Sequence, residues 1–237
     1  MKFYQSPKRL CENSLFQKGQ DIAGELPVCC TFEEEKYTGS YQNPANRMEQ
    51  EFIDQSFEKQ DYKSTPFPKG EYDGCIFNNC DFAEANLSDI IFVDCEFNAC
   101  NLSLVKLIKT TFRDVKFKDC KMLGIRFDAC SEFGLAFSFE NCTVNHSSFY
   151  QAKIKKTIFS NSQLHEVDFT DCDIAGSSFD GCDLMNATFE NTNIEKADFS
   201  KARNYSIDPE INKIKKAKFS LPEIIGLLNK YDIDIVK

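Results

Sequence analysis

The sequence predicts an all-β fold, a quadrilateral β-helix in which the chain turns a corner every five residues, and three patterns predict it. The first is a run of large apolar residues at every fifth position from Phe52, Phe57 and Tyr62 to Phe127, sixteen in succession. A second run of thirteen, in a shifted frame, extends from Phe139 to Phe199. The second pattern lies two positions before each large residue, where side chains are mostly small: Cys75, Cys80, Ala85, Cys95, Cys100, then Cys142, Ser147, Ala152 and Cys172. The third is a repeat at twenty. Phe57, Phe77, Phe97 and Phe117 fall in one series, and Phe139, Phe159, Phe179, Phe199 and Phe219 continue it after one step of twenty-two. A period of five fits neither the helical 3.6 nor the strand period of 2. Two inward residues per five, one large and one small, suit four corners closing a coil of twenty residues. Stacked at the usual inter-strand spacing of about 4.8 Å, roughly eight coils make a rod on the order of 40 Å long.

Residues 1–49 lack the repeat and carry Pro7, Pro27, Pro44 and the acidic run Glu33-Glu34-Glu35, so an irregular N-terminal extension is expected there. The coil is expected over residues 50–219, and like other solenoids it buries side chains between neighbouring turns and needs covered ends. Two extra residues fall between Phe127 and Phe139. Phe133, six from each, is expected inward, stacking with Phe112 and Ile154 at spacings of twenty-one. The pattern leaves the directions of Cys130 and Phe137 open. Residues 220–237 read as a short C-terminal α-helix and tail. Ser220-Leu221-Pro222-Glu223 has the form of a capping box with Pro in the first turn. Leu221, Ile224, Ile225 and Leu228 then share one apolar face, suited to capping the last coil or to pairing two chains. Tyr231 to Val236 alternate as a short strand would.

Composition narrows function. The 237 residues hold 28 Lys+Arg against 37 Asp+Glu, a formal charge of −9. This balance argues against a direct nucleic-acid binder that works by neutralising phosphates. Apolar runs such as Ile90 to Val93 are too short to cross a bilayer, and Met1 opens no charged-then-apolar leader, so a cytoplasmic protein with reduced thiols is expected. Twelve Cys raise the question of metal or redox chemistry. Those in the repeat lie five apart rather than in CxxC spacing, and Ala or Ser alternates with them, so they read as small core residues. Vicinal Cys29-Cys30 lie outside the repeat. His146 and His165 are expected outward, away from any nucleophile. No catalytic residue, metal or cofactor is expected.

Charge is banded. Residues 71–105 hold seven acids and no base, and residues 157–195 hold eight, namely Glu166, Asp168, Asp171, Asp173, Asp180, Asp183, Glu190 and Glu195. Residues 106–126 carry seven bases between these belts. At a spacing of twenty, Asp89 would meet Lys109, Glu96 Lys116, Glu195 Lys215 and Asp198 Lys218. Exposed pairs of this kind contribute about 0–1 kcal/mol each. The alternative is that the belts attract a basic groove on a partner, with Glu166, Asp168, Asp171, Asp173, Asp180 and Asp183 as the contact set.

Cys80-Asp81-Phe82-Ala83-Glu84, Ala85-Asn86-Leu87-Ser88-Asp89 and Ala197-Asp198-Phe199-Ser200-Lys201 resemble the A(D/N)LXX consensus of the pentapeptide repeat family. The resemblance spans roughly residues 50 to 219 and implies a right-handed quadrilateral β-helix. Qnr-type and MfpA-type members, which protect DNA gyrase and topoisomerase IV from quinolones, are described as DNA mimics, and their C-terminal helix pairs two chains. The resemblance thus implies a non-enzymatic protein, a DNA gyrase or topoisomerase IV partner and a homodimer formed through Leu221, Ile224, Ile225 and Leu228. A pentapeptide scaffold for some other protein is the competing expectation.

Overall fold

The computed structural model describes residues 50–234 and 236, and residues 1–49 lie outside the described residues. The chain winds as a right-handed parallel β-solenoid with four flat faces. The first face carries a nine-stranded parallel sheet running from Ser56–Glu58 through Ile76–Asn78 and Glu96–Asn98 to Lys218–Phe219. The second and third faces are joined coil to coil by isolated parallel bridges, such as Gln163 to Asp183 and Ser148 to Asp168. The fourth carries a four-stranded sheet of Glu51–Ile53, Glu71–Asp73, Ile91–Val93 and Thr111–Arg113.

Local chemistry explains why this sequence turns where it does. The second residue after most of the large ones sits in the left-handed region: Asp89 at φ 62°, Asp94 at 48°, Asn141 at 54°, Asp171 at 56°. Asp and Asn tolerate that conformation better than most side chains, and they recur at these corners. The residue just before each large one is also commonly Asp or Asn, and its side chain accepts a backbone N–H two residues on. Asp81 does so from Ala83 at 2.9 Å, Asp168 from Thr170 at 2.9 Å and Asp198 from Ser200 at 3.0 Å. These are Asx turns, a local substitute for ladder bonding.

Inside, the nine expected Phe residues form one column. Successive centroids from Phe57 to Phe219 are 4.5–5.5 Å apart and the rings nearly parallel. Rings from the opposite face meet this column edge-on, as Phe159 meets Phe169 at 6.2 Å and 86°. Near-parallel and edge-on contacts are the arrangements aromatic quadrupoles favour.

The small inward position does more than fill space. Cys95, Cys100 and Cys120 donate their S–H groups to the carbonyls of Tyr72, Phe77 and Phe97, each twenty-three residues back, at 3.2–3.3 Å. Thr110 and Thr192 donate to Leu87 and Phe169 at the same spacing, both at 2.8 Å. Cys, Ser and Thr interchange here because each is small and each supplies a donor.

Three expectations are corrected. Phe133 points outward and is 85% exposed. The backbone bond from Ser131 to Thr110 spans twenty-one residues, but the next, from Ala136 to Phe112, spans twenty-four, so the extra length loops out between them. Gly134 turns that loop at φ 75°. Cys130 and Phe137 both point inward, and the Phe137 ring lies 5.3 Å from both Phe127 and Phe139. Phe112 therefore meets Phe137 edge-on rather than stacking with Phe133. Phe137 fills the volume left where the four-stranded sheet stops.

The C-terminus is not an α-helix. It forms two 3-10 turns, Ile224–Leu227 and Asn229–Tyr231, with no side-chain cap on either. Glu223 accepts the Asn204 N–H at 3.2 Å instead of closing a capping box with Ser220. The Gly226 carbonyl accepts the Ile207 N–H at 2.9 Å, and a Cβ on Gly226 would collide with the Tyr205 carbonyl. That close approach, with glycine's low helix propensity, favours a tight turn. Leu227 packs on the core, whereas Leu221, Ile224 and Ile225 are exposed and Leu228 is half-buried. The expected terminal strand is not formed at residues 231–234.

Candidate functional surface

The large residue of each five-residue repeat points inward, so contact with other molecules falls to the outward residues of four faces. The six acidic candidates lie within fewer than twenty residues of chain, on different faces. Asp180 lies on the first face, Glu166 and Asp183 on the second, Asp168 and Asp171 on the third, and Asp173 on the fourth. They form a girdle around the rod, not a patch on one side.

Their environments differ. Asp173 is 3.0 Å from the Lys155 ammonium and Asp180 is 3.1 Å from Lys201. Asp183 accepts from Arg203 at 3.1 Å and from Asn204 at 2.8 Å, with His165 at 3.4 Å. Burial works to raise the Asp183 carboxyl, but hydrogen bonds from Asn204, His165 and Arg203 outweigh it and hold it below its usual range. Glu166 meets His146 Nδ1 at 3.1 Å. Asp168 serves its Asx turn, and Asp171 occupies a left-handed corner. The His residues thus contact surface carboxylates, His146 exposed and His165 half-buried.

Of the four compensating pairs expected at a spacing of twenty, Lys116–Glu96 forms at 2.8 Å and Lys218–Asp198 at 2.9 Å. Asp89 turns instead to Lys69, in the preceding coil, at 3.3 Å. Glu195 and Lys215 make no ion pair among the described residues.

The cysteines of the described residues line the core. All nine in the described region are buried and free, and burial pushes Cys95 and Cys182 up to about 12. A thiol held protonated is a poor nucleophile and a poor metal ligand. Cys29 and Cys30 lie outside the described residues. Among the described residues no group of His, Cys, Asp or Glu has the geometry to hold a metal, and no helix is long and apolar enough to cross a membrane. Sequence reasoning missed a cleft of about 440 Å³ beside the 131–136 loop, lined by Phe127, Asp128, Leu135, Tyr150 and Lys153 among others. The two-residue frame shift was its one visible sign.

Stacked aromatic columns inside, Asx-turned corners and flat polar faces outside define a solenoid that meets other molecules through its surface. The chain belongs to the pentapeptide repeat family: residues 71–137 and 135–199, more than half its length, match the pentapeptide repeat region. No curated protein matches the sequence. Among solved structures, trypsin-treated QnrB1, a plasmid-mediated fluoroquinolone resistance protein, superposes with a TM-score of 0.64 at 14% identity, over 81% of this chain and 94% of that one. A second trypsin-treated QnrB1 structure gives 0.52 at 15% identity, over 79% and 100%. HetL, from the cyanobacterium Nostoc, gives 0.34 at 14% identity, over 72% and 83%. At these identities the likeness to the two QnrB1 structures is one of fold.

Proposed function

We propose that this is a non-enzymatic, cytoplasmic interaction protein that engages a basic groove on a protein partner, with a type II topoisomerase such as DNA gyrase as the leading candidate. The observation that carries the reading is the girdle from Glu166 to Asp183, which puts carboxylates on all four faces of one level of the rod. A DNA duplex also presents its charge around its whole circumference, and a groove built for phosphates attracts such a surface. QnrB1, with the same fold, is a fluoroquinolone resistance protein.

A second reading, a scaffold for a different protein, is favoured by the ion pairs that Asp173, Asp180 and Asp183 already make within the chain. Gyrase supercoiling, measured with and without a quinolone, separates the two. Inhibition or protection at micromolar protein supports the first, and its loss on replacing Asp168, Asp171, Asp173, Asp180 and Asp183 with Asn ties it to the girdle. No effect on either reaction removes the topoisomerase reading and leaves the scaffold. Exposed Leu221, Ile224 and Ile225 at the end of the rod form the proposed end-on dimer contact. Leu221→Asp with Ile225→Asp is expected to abolish that pairing in sedimentation experiments.

A further inference from the structure

Charge is handled differently on the fourth face than on the other three. The first face compensates its charges along the rod through Lys116–Glu96, Lys118–Glu140, Lys201–Asp180 and Lys218–Asp198. The second does so through Lys63–Glu84 and Arg203–Asp183 and the third through Lys69–Asp89, while Arg126 and Asp128 pair within one coil. On the fourth face the two signs are separated. Below the 131–136 loop stand Glu51, Asp54, Glu71, Asp73, Asp94 and Asp114, opposed by Arg113 alone. Above it stand Lys153, Lys156, Lys196, Lys213, Lys215 and Lys216, with Glu195 as counterweight and one internal pair, Lys155–Asp173. Asp54, Glu71, Asp73, Asp94, Asp114 and Arg113 below the loop, and the lysines above it other than Lys155, make no ion pair among the described residues.

The separation is symmetric in position. Four coil levels, centred on Phe52, Tyr72, Phe92 and Phe112, lie on the acidic side of the loop. Four more, centred on Ile154, Ile174, Ile194 and Ile214, lie on the basic side. We propose that the fourth face binds the fourth face of a second copy, antiparallel, about a two-fold axis through the loop. Glu71 and Asp73 of each copy then face Lys196 of the other. Asp54 faces Lys215 and Lys216, and Asp114 faces Lys153 and Lys156. A parallel pairing would oppose acid to acid and base to base, so the charges select one orientation. Phe133, 85% exposed at the loop, meets its counterpart on the axis and supplies the apolar centre. The strip is on the order of 40 Å by 10 Å, below the size of a standard stable interface and within the range of weak, transient ones, so the pairing is weak and governed by salt. It is independent of the topoisomerase reading and of end-on pairing through the C-terminus.

Sedimentation of the full chain carrying Leu221→Asp and Ile225→Asp, which silences the end-on contact, tests it. A dimer is expected at about 50 mM salt, weakened at least about tenfold at about 500 mM. Glu71→Lys with Asp73→Lys should give a monomer at low salt, and so should Lys196→Glu. Mixing the two variants should restore association as a heterodimer, because each then presents what the other lacks. Phe133→Ser should weaken the wild-type pairing. A monomer at low salt, a dimer indifferent to either charge reversal, or mixed variants that stay apart would overturn the proposal. So would low-salt retention of duplex DNA in place of self-association.

Discussion

The first and fourth faces meet the same two-residue insertion and respond oppositely. On the first face the sheet crosses it intact: Phe117 pairs with Phe139 at a spacing of twenty-two, and their rings stay stacked at 5.3 Å. On the fourth face the sheet ends at Thr111–Arg113 and the chain loops out. An insertion in this fold is absorbed within one side of one coil, because each corner resets the chain before the next face begins. A continuous ring column and a broken sheet can therefore stand side by side.

The sharpest break of this comparison is a pair of substitutions four residues apart. Phe137→Ala should cost about 3–5 kcal/mol in denaturant unfolding, as buried Phe truncations do, while Phe133→Ala should stay within about 0.5 kcal/mol. Comparable losses at both would mean the loop is packed rather than extruded. A smaller effect is expected away from the insertion, at Thr192. There Thr192→Val keeps the volume but removes the donor to the Phe169 carbonyl, for a loss of about 1 kcal/mol. No loss would reduce the small inward position to packing alone.

The smallest effect lies on the uninterrupted face. Hydrogen bonds from Ser200, then Lys218, lower the Asp198 carboxyl to about 2 from an ordinary 3.8. A carboxylate lowered on folding adds stability above its unfolded value and loses it as pH falls. The contribution of Asp198 should therefore be complete above about pH 4 and vanish toward pH 2. The difference in urea midpoint between wild type and Asp198→Asn should shrink across that window, and a constant difference would show that the charge is not involved.

The interior was legible in the sequence because the coil repeats one decision about size every five residues. The column from Phe57 to Phe219 needed only counting. Failure came where size alone does not decide. Phe133 and Phe137 are the same residue type, and the choice between them depends on where the loop leaves and rejoins the coil. At the C-terminus the Ser220–Glu223 pattern is local, whereas Gly226 answers to Tyr205, a contact that sequence spacing does not reveal. The acidic candidates were visible as charges but not by face, because consecutive repeats fall on consecutive sides. Half the expected ion pairs formed, since the long lysine side chains of the coil before or the coil after can each reach Asp89, and spacing alone does not choose between Lys69 and Lys109.

The Asx turns have one further consequence. Wherever Asp81, Asp168 or Asp198 folds a corner by accepting a backbone N–H through a side-chain oxygen, Asn offers the same oxygen, as Asn101 and Asn193 do for Ser103 and Glu195. The architecture demands the acceptor and is indifferent to its ionisation. Mutational drift between the two residues can thus rewrite the electrostatic signature of the rod, one unit at a time, while the backbone beneath it stays unchanged.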